Sequence, residues 1–227
     1  MHLAIIPDGN RRWAKQKGLP SFLGHKTGAD TMEQTIASAF DLDVEYLTIW
    51  GASTANVTER DPKEIDFLFS VFKNSFEKLI ASPEISDRRV RVRILGEWRV
   101  LFPEPLKKVY EDIIEKTEKN DGPSLTFMMA YSGTGEILRA VDILRATSPD
   151  IVIDRDSIKR SLMTHDLPAV DLVIRTGGEP HWSDGFMMWD TANSQLYFTE
   201  TLWPDFSKEE LAKVVEQYRS TERRMGK

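Results

Sequence analysis

The feature that most constrains this chain is a recurrence of six short apolar bursts: LAII from residue 3, YLTIW from 46, VRVRIL from 90, LTFMMAY from 125, DLVIR from 171 and QLYF from 195. Each has the length of a buried strand, and longer segments with helical spacing lie between most of them. Within 63–82, Ile65, Leu68, Phe69, Phe72, Phe76, Leu79 and Ile80 repeat at intervals of three and four, while Phe67 and Val71 widen the apolar face. Further helical patterns cover 29–40, 106–119, 135–146, 156–163 and 208–219. Strand alternating with helix predicts a mostly parallel sheet covered by helices. A length of 227 residues with 41% hydrophobic residues suits one α/β domain. No repeat, low-complexity run or linker interrupts it, and SPDIVIDRDS at 148–157 reads as an exposed connection.

Composition removes several function classes. The chain has no cysteine, which excludes disulfides, thiolate metal sites and cysteine nucleophiles. A net charge of −6 argues against a nucleic-acid binder, so its arginines must act by position. No apolar run approaches the roughly 18–20 residues of a membrane span, and none reads as a secretory leader. The expectation is a soluble, cytoplasmic protein. His2, His25, His165 and His181 are too scattered for zinc spacing.

In parallel sheets, ligands bind beyond the carboxyl ends of the strands. Here those ends carry Pro7-Asp8-Gly9-Asn10-Arg11-Arg12, Gly51-Ala52-Ser53-Thr54-Ala55-Asn56, Tyr131-Ser132-Gly133-Thr134-Gly135 and Arg175-Thr176-Gly177-Gly178-Glu179. Small and polar residues at four strand ends converge on a single site. Gly9 and Asn10 opening a helix, with Arg11 and Arg12 in its first turn, suit a phosphate, because arginine there otherwise opposes the helix dipole. The same residues equally describe a turn followed by a solvated face. Arg175 before Gly177 and Gly178 reads as a second phosphate loop or as a tight turn with a surface ion pair. Neither has the spacing of a Walker A or dinucleotide fingerprint. Two phosphate loops suggest two phosphorylated substrates or one long one. Asp8 among these cations would hold Mg²⁺ against a diphosphate, accept a proton, or cap a helix. His25 after Gly24 is either structural or part of the site.

Read in order, HLAIIPDGNRRWAKQKG, GHKTGA, LTIWGASTANVTERDPKEIDFL, VRVRILG, MMAYSGTGEI, LPAVDLVIRTGGEPHWSDGFMMWDTANSQLYFTETLWPDF and the closing ERRMGK resemble the cis-prenyltransferase family, of the undecaprenyl diphosphate synthase type. The resemblance spans nearly the whole chain. It implies a single domain with a six-stranded, mainly parallel sheet, an elongated apolar tunnel lined by helix 63–82, and a homodimer. It also implies condensation of isopentenyl diphosphate with an allylic diphosphate in cis geometry, with Mg²⁺ assisting departure of the allylic diphosphate. Asp8 would hold the metal and assist ionisation. Gly9, Asn10, Arg11 and Arg12 would cradle the allylic diphosphate, with His25 beside it and Trp13 among the substrate-binding residues. Ser53 and Asn56 match positions near condensation and proton removal. Arg175 and Ser183, with Gly177 and Gly178, match the isopentenyl diphosphate site, and Arg224 and Gly226 match a terminal motif that reaches a partner subunit's substrate. A long lipid product leaves room for peripheral contact with a membrane.

The sequence departs from the family pattern at several places. Val57 replaces an aromatic, and Arg60 is displaced one residue from the expected arginine, which keeps it a substrate-binding candidate. Ser21 stands where an arginine is common, and Pro7 and Arg11 replace the usual methionine and glycine. His181 occupies the place of a second arginine, and one residue is inserted near Asp184-Gly185. Gln195 occupies the place of a glutamate that serves as a second metal ligand, with Asp190 or Glu179 as substitutes. Three readings follow: an active Z-polyprenyl diphosphate synthase, a short-chain or irregular synthase coupling two allylic diphosphates, and a non-catalytic partner subunit.

Overall fold

The computed structural model describes residues 1–147 and 152–221. Six strands, β1 (His2–Ile6), β2 (Tyr46–Ser53), β3 (Arg91–Leu95), β4 (Ser124–Tyr131), β5 (Leu172–Arg175) and β6 (Gln195–Phe198), form one sheet in the order β3-β4-β2-β1-β5-β6, and every pairing is parallel. The helices are α1 (Asn10–Gln16), α2 (Ser21–Asp41), α3 (Thr54–Thr58), α4 (Pro62–Ile80), α5 (Pro83–Ser86), α6 (Trp98–Leu101), α7 (Glu104–Thr117), α8 (Gly133–Thr147), α9 (Arg155–Ser161) and α10 (Lys208–Ser220). The α/β class and the six parallel strands agree with the sequence expectation. Of the connection expected at 148–157, residues 148–151 lie outside the described residues; Val152 and Ile153 are exposed, and Asp154 caps α9 in a capping box with Ser157.

The strands read as apolar runs because both faces of the sheet are covered. Successive residues point to opposite faces. One face sends Leu3, Ile5, Leu47, Ile49, Phe127 and Met129 into a large core shared with α2, α4, α7 and α10. The other sends Ala4, Ile6, Trp50, Met128 and Val173 against Leu167, Val170, Phe186 and Met187. From β1 the chain moves to β2 on one side, while β5 and β6 lie on the other. The β1/β5 boundary is therefore a topological switch point, where parallel sheets open a crevice beyond the strand ends.

Helix α2 starts at Ser21, eight residues before the periodic stretch at 29–40. Its first half faces α1 with glycine. A Cβ at Gly24 would collide with the carbonyl oxygen of Asn10, and one at Gly28 with the Asn10 side chain. This close approach fixes α1 over the strand ends.

Candidate active site

Neighbouring strands β1 and β5 bring the segments after Ile6 and Arg175 face to face. The Asp8 carbonyl accepts from Thr176 Oγ1 at 2.8 Å and from Trp203 N at 3.0 Å. Its carboxylate lies between two guanidinium groups: Arg175 Nη2 is 2.9 Å from Oδ2, and Arg12 Nη2 is 3.1 Å from Oδ1. Arg12 also pairs with Glu179 at 3.2 Å and donates to the Gly177 carbonyl. Gly177 has φ +97°, and a Cβ there would strike the Arg12 guanidinium and the Asp8 carbonyl, so only glycine lets the loop close on this cluster. Arg175 is 4% exposed, donates Nη1 to the His181 carbonyl at 2.7 Å, and leaves Nε without a partner.

A second cluster forms where α1, α2 and α4 meet. Asp61 caps α4, accepting from Lys63 N at 2.9 Å, and Pro62 opens the helix. That start puts Glu64 in the first turn, where its Oε1 lies 3.4 Å from Arg60, 3.7 Å from His25 Nε2 and 4.0 Å from Arg11. Burial, and secondarily Arg60, push the His25 pKa from its ordinary 6.5 down to about 4, so the folded protein holds the ring neutral. A buried neutral histidine gives stability that is fully present above the unfolded pKa and lost as pH falls towards the folded one. His25→Gln should therefore lose less stability than the wild type between pH 6.5 and about 4, the two curves converging by up to about 3 kcal/mol. Urea titrations at a series of pH values measure it; parallel curves would refute the assignment.

Both clusters open onto one cavity of about 950 Å³. Its polar part carries Asp8, Asn10, His25, Ser53, Asn56 and Arg175; its apolar part carries Leu68, Val71, Phe72 and Phe76 of α4 with Phe127 and Met129 of β4. Phe76 joins this apolar lining to a cluster of packed rings, its centroid 4.5 Å from that of Tyr110 and 4.7 Å from that of Phe127. Ser53 caps α3 by accepting from Asn56 N at 3.0 Å, which holds the two cavity-lining side chains in register. Four buried polar atoms of lining residues have no hydrogen-bond partner: Asn10 Oδ1, His25 Nε2, Trp50 Nε1 and Arg175 Nε. Unsatisfied buried groups are costly, so their convergence on one cavity marks a ligand site. The arrangement can neutralise an anion at the strand ends while an apolar chain lies against α4.

Of the residues expected from sequence, Asp8, Gly9, Asn10, Arg11, Arg12, His25, Ser53, Asn56, Arg60, Arg175 and Ser183 all line this cavity. Gly178 joins Gly177 in the left-handed region, at φ +73°. Four other candidates are absent from the lining of this cavity. Trp13 does not line the cavity; it is buried and donates Nε1 to Asp205 at 2.7 Å, tying α1 to the 203–205 turn. His181 contributes its backbone carbonyl, whereas its ring is 57% exposed beside Glu179. Gln195 opens β6 opposite Leu172, three residues and about 10 Å short of the carboxyl end where Arg175 pairs Phe198. Within one chain, then, Gln195 lies at the amino end of its strand while Asp8 lies beyond the carboxyl end of β1. Asp190 is likewise remote, held by Lys159 and Thr164 at 2.6 Å each. Glu179 is the carboxylate that accompanies Asp8. Arg224 and Gly226 lie outside the described residues. Among the phenylalanines expected along the tunnel, Phe72 and Phe76 line the cavity, while Phe69 packs on Phe102 and Phe67 on Phe22.

Sequence reasoning missed Glu64 as the hub of the second cluster. Its one signal was the i,i+4 spacing from Arg60. It also missed Phe127 and Met129, which read only as strand core.

Comparison with known proteins gives a consistent picture. The family model for undecaprenyl diphosphate synthase matches residues 6–226. The chain is 39% identical to an isoprenyl transferase of Thermotoga maritima, covering 99% of this chain and 96% of that one. It is 38% identical to an isoprenyl transferase of Streptococcus pyogenes, covering 100% of this chain and 92% of that one. Among solved structures it matches lavandulyl diphosphate synthase from Lavandula x intermedia in complex with dimethylallyl diphosphate, with a TM-score of 0.93 and 30% identity over 100% of this chain and 98% of that one.

Proposed function

The chain belongs to the undecaprenyl diphosphate synthase family of prenyl transferases, and from that premise we propose that it condenses isopentenyl diphosphate with an allylic diphosphate such as farnesyl or geranyl diphosphate to give a Z-polyprenyl diphosphate. One observation carries this reading: unpartnered buried polar atoms and paired guanidinium groups meet at the polar end of a cavity whose other end is apolar. Two diphosphates need two cationic cradles, and an isoprenoid chain needs an apolar channel between helix and sheet.

In this reading Asn10, Arg11, Arg12 and His25 hold the allylic diphosphate, and Arg175 with Ser183 holds isopentenyl diphosphate. Asp8 and Glu179 are hard oxygen donors flanking both guanidinium groups, the donor set suited to a Mg²⁺ shared with substrate phosphates. Bound there, Mg²⁺ would neutralise charge on the departing diphosphate. The allylic carbon–oxygen bond breaks, the isopentenyl double bond supplies the electrons of the new carbon–carbon bond, and a proton leaves the isopentenyl unit beside Ser53 and Asn56. No covalent enzyme intermediate is required, and catalysis rests on positioning and electrostatics.

The test is incubation with farnesyl diphosphate, labelled isopentenyl diphosphate and Mg²⁺, followed by chromatographic sizing of the products. Labelled polyprenyl products are expected. No incorporation with any divalent metal would overturn the enzymatic reading in favour of a non-catalytic partner subunit. The likeness to the lavandulyl enzyme favours one alternative, coupling of two allylic diphosphates; a product from dimethylallyl diphosphate alone would establish it.

The same reading includes a homodimer. Strand β6 lies at an edge of the sheet with Leu196 and Phe198 43% and 38% exposed on one face, an apolar surface available to a second copy. Among the described residues no helix is long and apolar enough to cross a membrane. A cytoplasmic enzyme with peripheral membrane contact would use Leu19 and Phe22, exposed beside the cavity.

A further inference from the structure

Besides Arg175, the carboxyl ends of the strands present another unpartnered donor. β1 pairs β2 through Ile5 and Ile49, and β5 through Ile6 and Arg175. Trp50, Ile6 and Arg175 are thus consecutive across three strands, and their side chains leave the same face of the sheet. Trp50 is 7% exposed, lines the cavity, and has an indole Nε1 buried without a hydrogen-bond partner. Four other tryptophans are satisfied: Trp13 donates to Asp205, Trp98 to the Ile94 carbonyl, Trp182 to the Phe186 carbonyl and Trp203 to the Gly28 carbonyl. A tryptophan that served packing alone would gain by finding such a carbonyl. Trp50 instead stacks on Phe186 at 5.1 Å and 18°, and Tyr131 meets Phe186 edge-on at 6.3 Å. The ring is thus packed in place, with its donor unpartnered, in the wall of a cavity also lined by Ser183.

The face decides which substrate this donor serves. Arg11, His25 and Arg60 gather at Glu64 on α4, a helix whose buried side packs with Leu3, Ile5, Leu47 and Ile49. Trp50 packs on the opposite face, with Ala4, Ile6 and Phe186. We infer that Trp50 donates its indole N–H to a phosphate oxygen of the diphosphate held by Arg175 and Ser183, making it a binding residue for isopentenyl diphosphate and not for the allylic substrate. This rests on the proposed function, which assigns that diphosphate to the Arg175 side.

Trp50→Phe keeps an aromatic ring and deletes the donor. The KM for isopentenyl diphosphate should rise about tenfold, equivalent to about 1.4 kcal/mol, with kcat and the allylic KM within about twofold of wild type. Phenylalanine is smaller, so a second variant carries 3-benzothienylalanine at position 50, which keeps the indole shape and replaces N–H with sulfur. It should show the same rise while melting no lower than wild type in the absence of ligand, because the free protein makes no hydrogen bond there. An unchanged isopentenyl KM in the benzothienyl variant, or an equal rise in the allylic KM, would overturn the inference. Calorimetric titration with isopentenyl diphosphate gives the same comparison without turnover. A wild-type chain that binds this compound but never incorporates it would sink the proposed function and leave this test intact.

Discussion

Asp8→Ala should lower kcat on the order of 10³-fold, the scale on which removal of a single electrostatic participant acts, while the chain still folds. The carboxylate holds Arg12 and Arg175 at 3.1 and 2.9 Å, but both keep other partners. Arg12 retains Glu179 and the Gly177 carbonyl; Arg175 retains the His181 carbonyl and, at 3.6 Å, Glu179. The Asp8 side chain is one-third exposed, so the loss of stability should stay within the ~1.5–3 kcal/mol of a charged hydrogen bond. The variant has a second signature. Without metal, Asp8 competes with phosphate oxygens for the same two guanidinium groups. Asp8→Ala should therefore bind inorganic pyrophosphate more tightly than wild type in the presence of a chelator, although it turns over far more slowly. Steady-state kinetics and calorimetry measure the two halves. Turnover within tenfold of wild type, or weaker metal-free pyrophosphate binding, would remove Asp8 from its assigned place.

The strands were legible because central parallel strands, covered on both faces, must be apolar almost throughout; β4 is buried along its whole length. The polar strand ends were legible for the same reason, since Asp8 and Arg175 follow runs that tolerate no charge. The first half of α2 was not. Its buried positions ahead of residue 29 are Gly24 and Gly28, which pack by smallness against α1, so no apolar period marks them. Glu64 was hidden because an acidic residue in the first turn of a helix already has an explanation in the dipole. Gln195 stands apart from Asp8 for a different reason. A residue that opens a parallel strand sits at its amino end, whereas the site gathers at carboxyl ends, so position along the strand separates Gln195 from Asp8 despite any motif that joins them. Trp13 and His181 lie next to site residues in sequence, yet a helix and a loop turn their rings elsewhere. Trp50 escaped notice because an aromatic inside a strand reads as core, and only a missing hydrogen bond distinguishes it from its satisfied counterparts.

The apolar end of the cavity yields the other large effect. Phe76 is 4% exposed, lines the cavity, and packs its ring on Tyr110 and Phe127. Phe76→Ala should cost about 3–5 kcal/mol, combining lost burial with the cavity left behind, read as a lower urea midpoint with little change in slope. The space so opened is continuous with the cavity and borders Tyr110, whose hydroxyl is buried without a partner and whose pKa burial drives upward. Under the proposed function, a growing chain that stops against Phe76 should then continue past it, and the product distribution should shift to longer chains. Phe76→Leu fills most of the volume and should keep most of the stability, with a smaller shift in the same direction. Stability and product length thus separate two roles of one side chain. If Phe76→Ala destabilises as expected but makes products of unchanged length, Phe76 only packs the core, and the end of the channel must be sought nearer the mouth, at Phe72 and Val71. If both variants lengthen the product in order of the volume removed, the floor is where the rings meet, and the same aromatic cluster that stabilises the sheet also limits the length of the chain made above it.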